Sequence, residues 1–198
     1  MDEDARMIRE FVDGFEHFDD LTISRGMKVY GDVSPILTAA WGVDNQARWR
    51  PLAVQTSTVA LEDFYKKVPR PLPALYEKLI LSYRWAEVDV RRFRLLSNLP
   101  PGLQGLAEAV TADPVLFRVL SDGRFAQFGK GPDMDYDPIC FDLTRRGSDG
   151  DCPIVKFDHE EILNNQRLVV VDELAPTFRR LVELVVGDAR QKPGETAS

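Results

Sequence analysis

The chain has little of what catalytic and metal-binding sites are usually built from. Its 198 residues include two histidines and two cysteines. His17 and His159 stand far apart in sequence, which excludes a His-rich metal site and disfavours a mixed one. His159-Glu160-Glu161 lacks the second His that a zinc-protease helix requires, so His159 reads as a loop or helix-start residue. Cys140 and Cys152 have no C-x-x-C spacing and cannot make a disulfide scaffold. They are expected to be reduced structural thiols. A hairpin folded about Gly147-Ser148 sets Cys140 opposite about Val155, not opposite Cys152. No G-x-S-x-G, P-loop or G-x-G-x-x-G is present.

Long apolar runs are missing as well. Stretches such as Val169-Val170-Val171 are far too short to span a membrane. The start, Met1-Asp2-Glu3-Asp4, is acidic where a leader would be basic, and the expected location is cytoplasmic. Basic charge is short: 25 Lys and Arg against 32 Asp and Glu give a net charge of −7 and a pI near 4.9. A nucleic-acid binder needs a basic surface for phosphate contacts, so direct nucleic-acid binding is not expected. The acidity suits solubility, or attraction to a basic protein partner.

What is present is an ordinary globular composition, 44% hydrophobic and 29% charged. The length allows one domain, or one domain with an extension. Residues 1–20 predict an acidic amphipathic helix, with Met7, Ile8, Phe11, Val12, Phe15 and Phe18 on one stripe and Asp2 or Asp4 as its cap. Gly26, Gly31, Pro35, Gly42 and Pro51 interrupt residues 21–57, which read as short strands and turns anchored by Trp41 and Trp49. A helix over 58–67 is expected to have Thr58 as its cap and to bury Leu61, Phe64 and Tyr65. A second helix opens at Pro73 and buries Leu75, Tyr76, Leu79 and Ile80. Residues 92–95 alternate as a strand with Phe93 and Leu95 on one face. A helical excursion then covers about 100–120, with Asp113-Pro114 opening its second part.

From Ser121 the pattern turns to β, with Ser121-Asp122-Gly123 as a turn. Phe125 and Phe128 face opposite ways in the next strand, and Gly129–Asp137 is an acidic loop. Ile139, Phe141 and Leu143 then share one strand face, and Cys140 and Asp142 the other. Arg145–Asp151 is a hairpin connection, followed by a strand with Val155 and Phe157 together. A last helix is predicted from about Asp172 to Val186, burying Leu174, Phe178, Leu181, Val182 and Val185. Residues 187–198 are expected to form a disordered tail. The fold class expected is α+β: helices, a mainly antiparallel sheet, and a closing carboxyl-terminal helix.

Few constellations carry chemistry. Asp133, Asp135 and Asp137 start like a calcium loop, but Pro138 and Thr144 occupy the positions that need Gly and Glu. The carboxylates between 133 and 142 leave open a small hydrolase or a metal-dependent enzyme, which would need two of them at fixed separation with divergent pKa values. The segment Ser82–Arg92 mixes aromatic and basic residues, but Glu87 and Asp89 dilute its charge. It reads as a helix end packed by Trp85 with a solvated linker after it.

The carboxyl part resembles the SUKH superfamily, in its yeast cell-wall-assembly-regulator (Smi–Knr) branch. The resemblance is carried by Pro71-Leu72-Pro73-Ala74-Leu75-Tyr76, by Phe125-Ala126-Gln127-Phe128-Gly129 and by Asp137-Pro138-Ile139-Cys140-Phe141-Asp142-Leu143. It continues through Gly150-Asp151-Cys152-Pro153-Ile154-Val155-Lys156-Phe157 and ends at Glu173–Leu181. Arg84-Trp85 stands where the family often has Asn-Gly, and 99–120 looks like an insertion. The resemblance implies a SUKH-like domain over 58–186 with residues 1–57 as an extension packed on its core. It implies no enzyme, cofactor or metal, but a protein-binding module. Bacterial members of the family look like immunity proteins that neutralise toxins, many of them nucleases; fungal members are regulatory scaffolds. An acidic module suits the basic cleft of a nuclease toxin. The expected partner-binding residues are Asp133, Asp135, Tyr136 and Asp137, where tyrosine adds an apolar anchor among acids, with the groove beside Trp85 as the fallback.

Overall fold

The computed structural model describes residues 2–190. The amphipathic amino-terminal segment forms α1 (Glu3–Asp13) and a short α2 (Phe15–Phe18), separated at Gly14. Asp2 caps α1 by accepting the Asp4 N–H at 3.1 Å. Ile8, Phe11, Val12 and Phe15 are buried as the stripe requires. Two short strands, β1 (Thr22–Ser24) and β2 (Gln46–Arg48), pair antiparallel, with a 3-10 turn at Ser34–Ile36 between them. Trp49 anchors this region at 1% exposure, whereas Trp41 is half-buried. β3 (Leu52–Ala53) leads to α3 (Thr58–Tyr65), whose cap position is Ser57 and not Thr58. α4 (Ala74–Ser82) follows Pro73, which fixes the entry and has no N–H to leave unpaired.

The strands β4 (Tyr83–Arg84), β5 (Val88–Asp89) and β6 (Arg94–Leu95) come next. The excursion after them resolves into α5 (Gln104–Val110) and α6 (Pro114–Asp122). Asp113 caps α6 by accepting from Val115 and Leu116, both at 2.9 Å. The Ser121-Asp122-Gly123 signal is the last turn of this helix rather than a hairpin turn. Then follow β7 (Phe125–Lys130), β8 (Pro138–Asp142), β9 (Ile154–Phe157), α7 (His159–Asn165), β10 (Val170–Ala175) and α8 (Phe178–Arg190).

Six strands make one antiparallel sheet in the order β10-β9-β8-β7-β6-β5. Every neighbour in the sheet is the next strand in sequence, so the chain is α+β with a meander and a closing helix. One sheet face meets α4 and α8 through an aromatic cluster. Phe128 stacks on Phe141 at 4.2 Å between centroids, and Phe178 of α8 lies 5.5 Å from Phe141. Phe141 and Phe178 are both fully buried, and Leu143 and Leu181 belong to the same core. The other face holds a smaller cluster of Leu120, Cys140, Val155, Phe157 and Ile162 under α6 and α7. Phe125 packs there while Phe128 packs in the main core, so the two face opposite ways despite a register shift between Gln127 and Gly129. Cys140 pairs with Val155 across β8 and β9.

Three further sequence expectations need correction. Asp172 does not start the last helix: residues 170–175 form β10, and α8 starts at Phe178. The stretch after Trp85 is not a solvated linker, because Ala86, Val88 and Val90 are buried. Of the expected tail, 187–190 continue α8, and 191–198 lie outside the described residues. The extension 1–57 contributes Ile8, Phe11, Phe15 and Trp49 to the same core as the sheet. Among the described residues no helix is long and apolar enough to cross a membrane.

Candidate functional site: a pinned loop beside an apolar cleft

The loop between β7 and β8 is held at several points. Its ends close through the Gly131 N–H, which donates to the Asp137 carbonyl at 2.9 Å. Asp135 donates its N–H to the Pro132 carbonyl at 3.0 Å and accepts from the Asp137 N–H at 2.9 Å. The Asp135 carboxylate folds over Gly131 so closely that a side-chain carbon there would collide with it. Glycine is required for contact, not for backbone conformation.

Side chains from the neighbouring strand and helix complete the anchoring. Lys156 on β9 reaches Asp135 at 2.5 Å and Asp137 at 3.4 Å. Asp137 also accepts from the His159 backbone at 3.0 Å and faces its Nδ1 at 2.8 Å. Burial raises the Asp137 carboxyl, but the His159 backbone and ring and the Lys156 ammonium outweigh it, so its pKa sits below the ordinary value. Two of the three aspartates are therefore spent on internal pairing. Only Asp133 is left with a carboxylate free of an ion-pair or hydrogen-bond partner among the described residues. Of the cluster anticipated from the sequence, Lys156 answers Asp135 and Asp137 together and only Asp133 stays without a partner among the described residues. The loop instead offers Met134, 77% exposed, and Tyr136, 53% exposed.

Trp85 lies elsewhere in the architecture. It is fully buried, and its indole N–H donates to the Leu96 carbonyl at 2.9 Å. It is a core residue with no exposed side-chain surface. Next to it, Arg84 is 3% exposed without a carboxylate partner. Its guanidinium donates to the Ile80 and Tyr83 carbonyls and to the Thr56 hydroxyl, closing the carboxyl end of α4. Asn98 donates to the same two carbonyls. A cation at the negative end of a helix accounts for an Arg in this position.

Behind Tyr136 lies a cleft of about 510 Å³. Ile23 and residues 27–30, Leu96 beside the sheet, Leu116 of α6 and Leu163 of α7 give it an apolar lining, with Gln127, Lys130 and His159 adding polar atoms. Behind the lining, Gly105 of α5 packs against Tyr30 so closely that any side-chain carbon there would come within 2.5 Å of the Tyr30 carbonyl. No sequence pattern announced this cleft. Its walls come from six separate parts of the chain, and no local period joins them.

The geometry bears on chemistry in four ways. Asp142, 4% exposed, is bonded to the Thr144 hydroxyl at 2.5 Å and to Arg145 at 2.6 Å, apart from the anchors of Asp135 and Asp137. Asp135 and Asp137 thus share one cation, Lys156, and Asp142 is held by another, Arg145. His159 and Asp137 form a dyad, but the other ring nitrogen has no hydrogen-bonded partner among the described residues, so no nucleophile is aligned with it. Burial pushes the Cys140 thiol well up and the Cys152 thiol to about 12, the opposite of an activated nucleophile. Among the described residues no three His, Cys, Asp or Glu side chains converge as metal ligands. Comparison of the chain with protein-family models, with curated proteins and with solved structures finds no match.

Proposed function

We propose that this chain is a non-enzymatic protein-binding module of the SUKH type, acting as an immunity protein that neutralises a toxin. The observation that carries the reading is the pinned loop. Lys156 and His159 fix residues 131–137 while Met134 and Tyr136 remain exposed. A surface ordered before binding loses little conformational entropy on docking. Tyrosine and methionine are favoured in interface centres because they bury much area and adapt in shape. The net charge of −7 favours encounter with a basic partner such as a nuclease. Attraction then comes from the whole molecule and not from an aspartate cluster on the loop. The resemblance adds support through its order of pieces: Leu72-Pro73 before α4, the meander, and the closing α8. A carboxylate enzyme has less support, since Asp135, Asp137 and Asp142 are each held by a cation.

The test is co-expression with the product of the gene adjacent to its own. The expected result is a product toxic alone and tolerated together, with a stoichiometric complex on gel filtration. Replacing Met134 and Tyr136 together by Ala should weaken that complex about tenfold or more, the loss typical of a central anchor. A non-toxic neighbour that forms no complex would overturn the immunity reading. A complex indifferent to the double substitution would move the docking surface off the loop.

A further inference from the structure

We infer that the cleft behind Tyr136 is a binding site for a small apolar monocarboxylate, adjoining the loop proposed to meet a protein partner and sharing Tyr136 with it. Its volume of about 510 Å³ falls within the range of about 300–1,000 Å³ usual for small-ligand sites. Its walls are those of such a site: mostly apolar, with a few polar groups at fixed places. Three of the chain's exposed large apolar side chains, Met27, Tyr136 and Leu163, stand together on its lining. Such side chains scattered singly need no explanation, whereas their convergence on one concavity does.

The charges decide the ligand's chemistry. Five ionisable side chains other than tyrosine line the cleft: Lys28, Glu87, Asp113, Lys130 and His159. Glu87 is neutralised by Lys130 at 2.9 Å and by Arg94 at 3.6 Å. Asp113 is bonded to two N–H groups at the start of α6. His159 is held by Asp137. Lys28 alone has no hydrogen-bonded or ion-paired partner among the described residues, and its ammonium rests over the Tyr30 ring at 5.2 Å from the centroid. In a chain of net charge −7 the cleft therefore has an unanswered positive charge at an apolar mouth. The complementary ligand has an apolar body and one anionic group. An apolar cation meets only carboxylates already engaged, Glu87 by Lys130 and Asp113 by the N–H groups at the start of α6, and a neutral molecule leaves Lys28 unused.

The test needs no protein partner, so its failure leaves the immunity reading untouched, and failure of that reading leaves the cleft untouched. The whole chain is titrated at low salt with octanoate, octan-1-ol and octyltrimethylammonium, and its backbone amides are followed by NMR. Octanoate should bind saturably and shift the amides of Ile23, Leu116 and Leu163. It should bind tighter than octanol by about two- to fivefold, the gain expected from one solvent-exposed ion pair, and the cation should bind weakest. Lys28→Met should reduce octanoate to the affinity of octanol and leave octanol unchanged, with no loss of fold because Lys28 is exposed. Leu163→Glu, at a 42% exposed position, should reverse the order of the two ions. Equal affinity for all three probes, tightest binding of the cation, or a Lys28→Met variant with unchanged preference would each overturn the proposal. So would cleft amides that respond only to a protein partner, which would make the cleft part of that interface.

Discussion

Asp151, in the connection between β8 and β9, accepts the backbone N–H of Phe178 at 3.0 Å and so caps a helix 27 residues further along the chain. The same carboxylate also takes the Arg179 N–H at 3.3 Å and the Cys152 N–H at 2.8 Å. One side chain thereby fixes the hairpin connection to the start of α8. Asp151→Ala should lower stability by about 0.5–2 kcal/mol, the usual range for a lost cap. Urea denaturation measures it, and Asp151→Asn should recover part of the loss. An unchanged midpoint for the Ala variant would mean that α8 starts independently of the hairpin.

Phe178 occupies the centre of the main core. Its ring lies 5.3 Å from Tyr76, 5.7 Å from Phe128 and 5.5 Å from Phe141, in edge-on arrangements. Phe178→Ala should cost about 3–5 kcal/mol, because both transfer energy and packing are lost. Val59→Ala, at a position 67% exposed, should stay within about 0.5 kcal/mol. The two denaturation midpoints compared under one condition decide the matter.

Both thiols should be inert in the folded protein. Cys140 is fully buried and Cys152 is 1% exposed, and burial raises both pKa values. A thiol reagent at mildly alkaline pH should label neither until denaturant is added, after which both should react. Fast labelling of Cys152 in the native chain would show an open path to it.

Stability should fall in acid through Asp142 and Asp137. Burial raises the Asp142 carboxyl, but the Thr144 hydroxyl, Arg145 and the Thr144 N–H outweigh it, leaving its pKa below the ordinary 3.8. Asp137 is depressed in the same direction by His159 and Lys156 against its burial. The folded state thus binds fewer protons than the unfolded one, and stability rises with pH across this interval. The contribution is complete above the ordinary value and is lost as the pH falls below 3.8 through the folded values. Urea midpoints measured from about pH 6 to about pH 2.5 should drop most in the lower half. Asp142→Asn should flatten that drop; an equally steep acid limb in the variant would assign it to other groups.

Lys156 should control the motion of the loop. Lys156→Met leaves Asp135 and Asp137 without their common cation. Hydrogen exchange should then quicken at the amides of Gly131, Asp135 and Asp137, which close the loop, while those within β8 keep their rates. Unchanged exchange at the three amides would mean that the backbone bonds alone hold the loop.

The elements legible in the sequence were those whose apolar period is local. The stripe Ile8, Phe11, Val12 and Phe15 and the split of Phe141 from Cys140 needed only helix and strand geometry. The opposition of Cys140 and Val155 needed only the hairpin's centre. Asp172 misled because an acid before an apolar run is how a helix start reads. In the folded chain that run pairs with β9, and the cap comes from Asp151. Trp85 packs as its segment suggested, but the charged stretch after it is not a solvated linker, because Val88 of β5 pairs with Leu95 of β6 and both are buried.

The candidate site divides along the same line. Sequence alone located the acidic loop and singled out Tyr136, because residue type and neighbours are local facts. Tertiary structure decided the rest. It brought Lys156 and His159 to Asp135 and Asp137, which engages two of the loop's three acids and leaves Met134 and Tyr136 exposed beside them. It also assembled a cleft from segments as distant as Lys28 and Leu163 and left one of its cations unpaired. A charge acts through space, so which acids stay free depends on where their counter-ions fold, and no spacing along the chain records that.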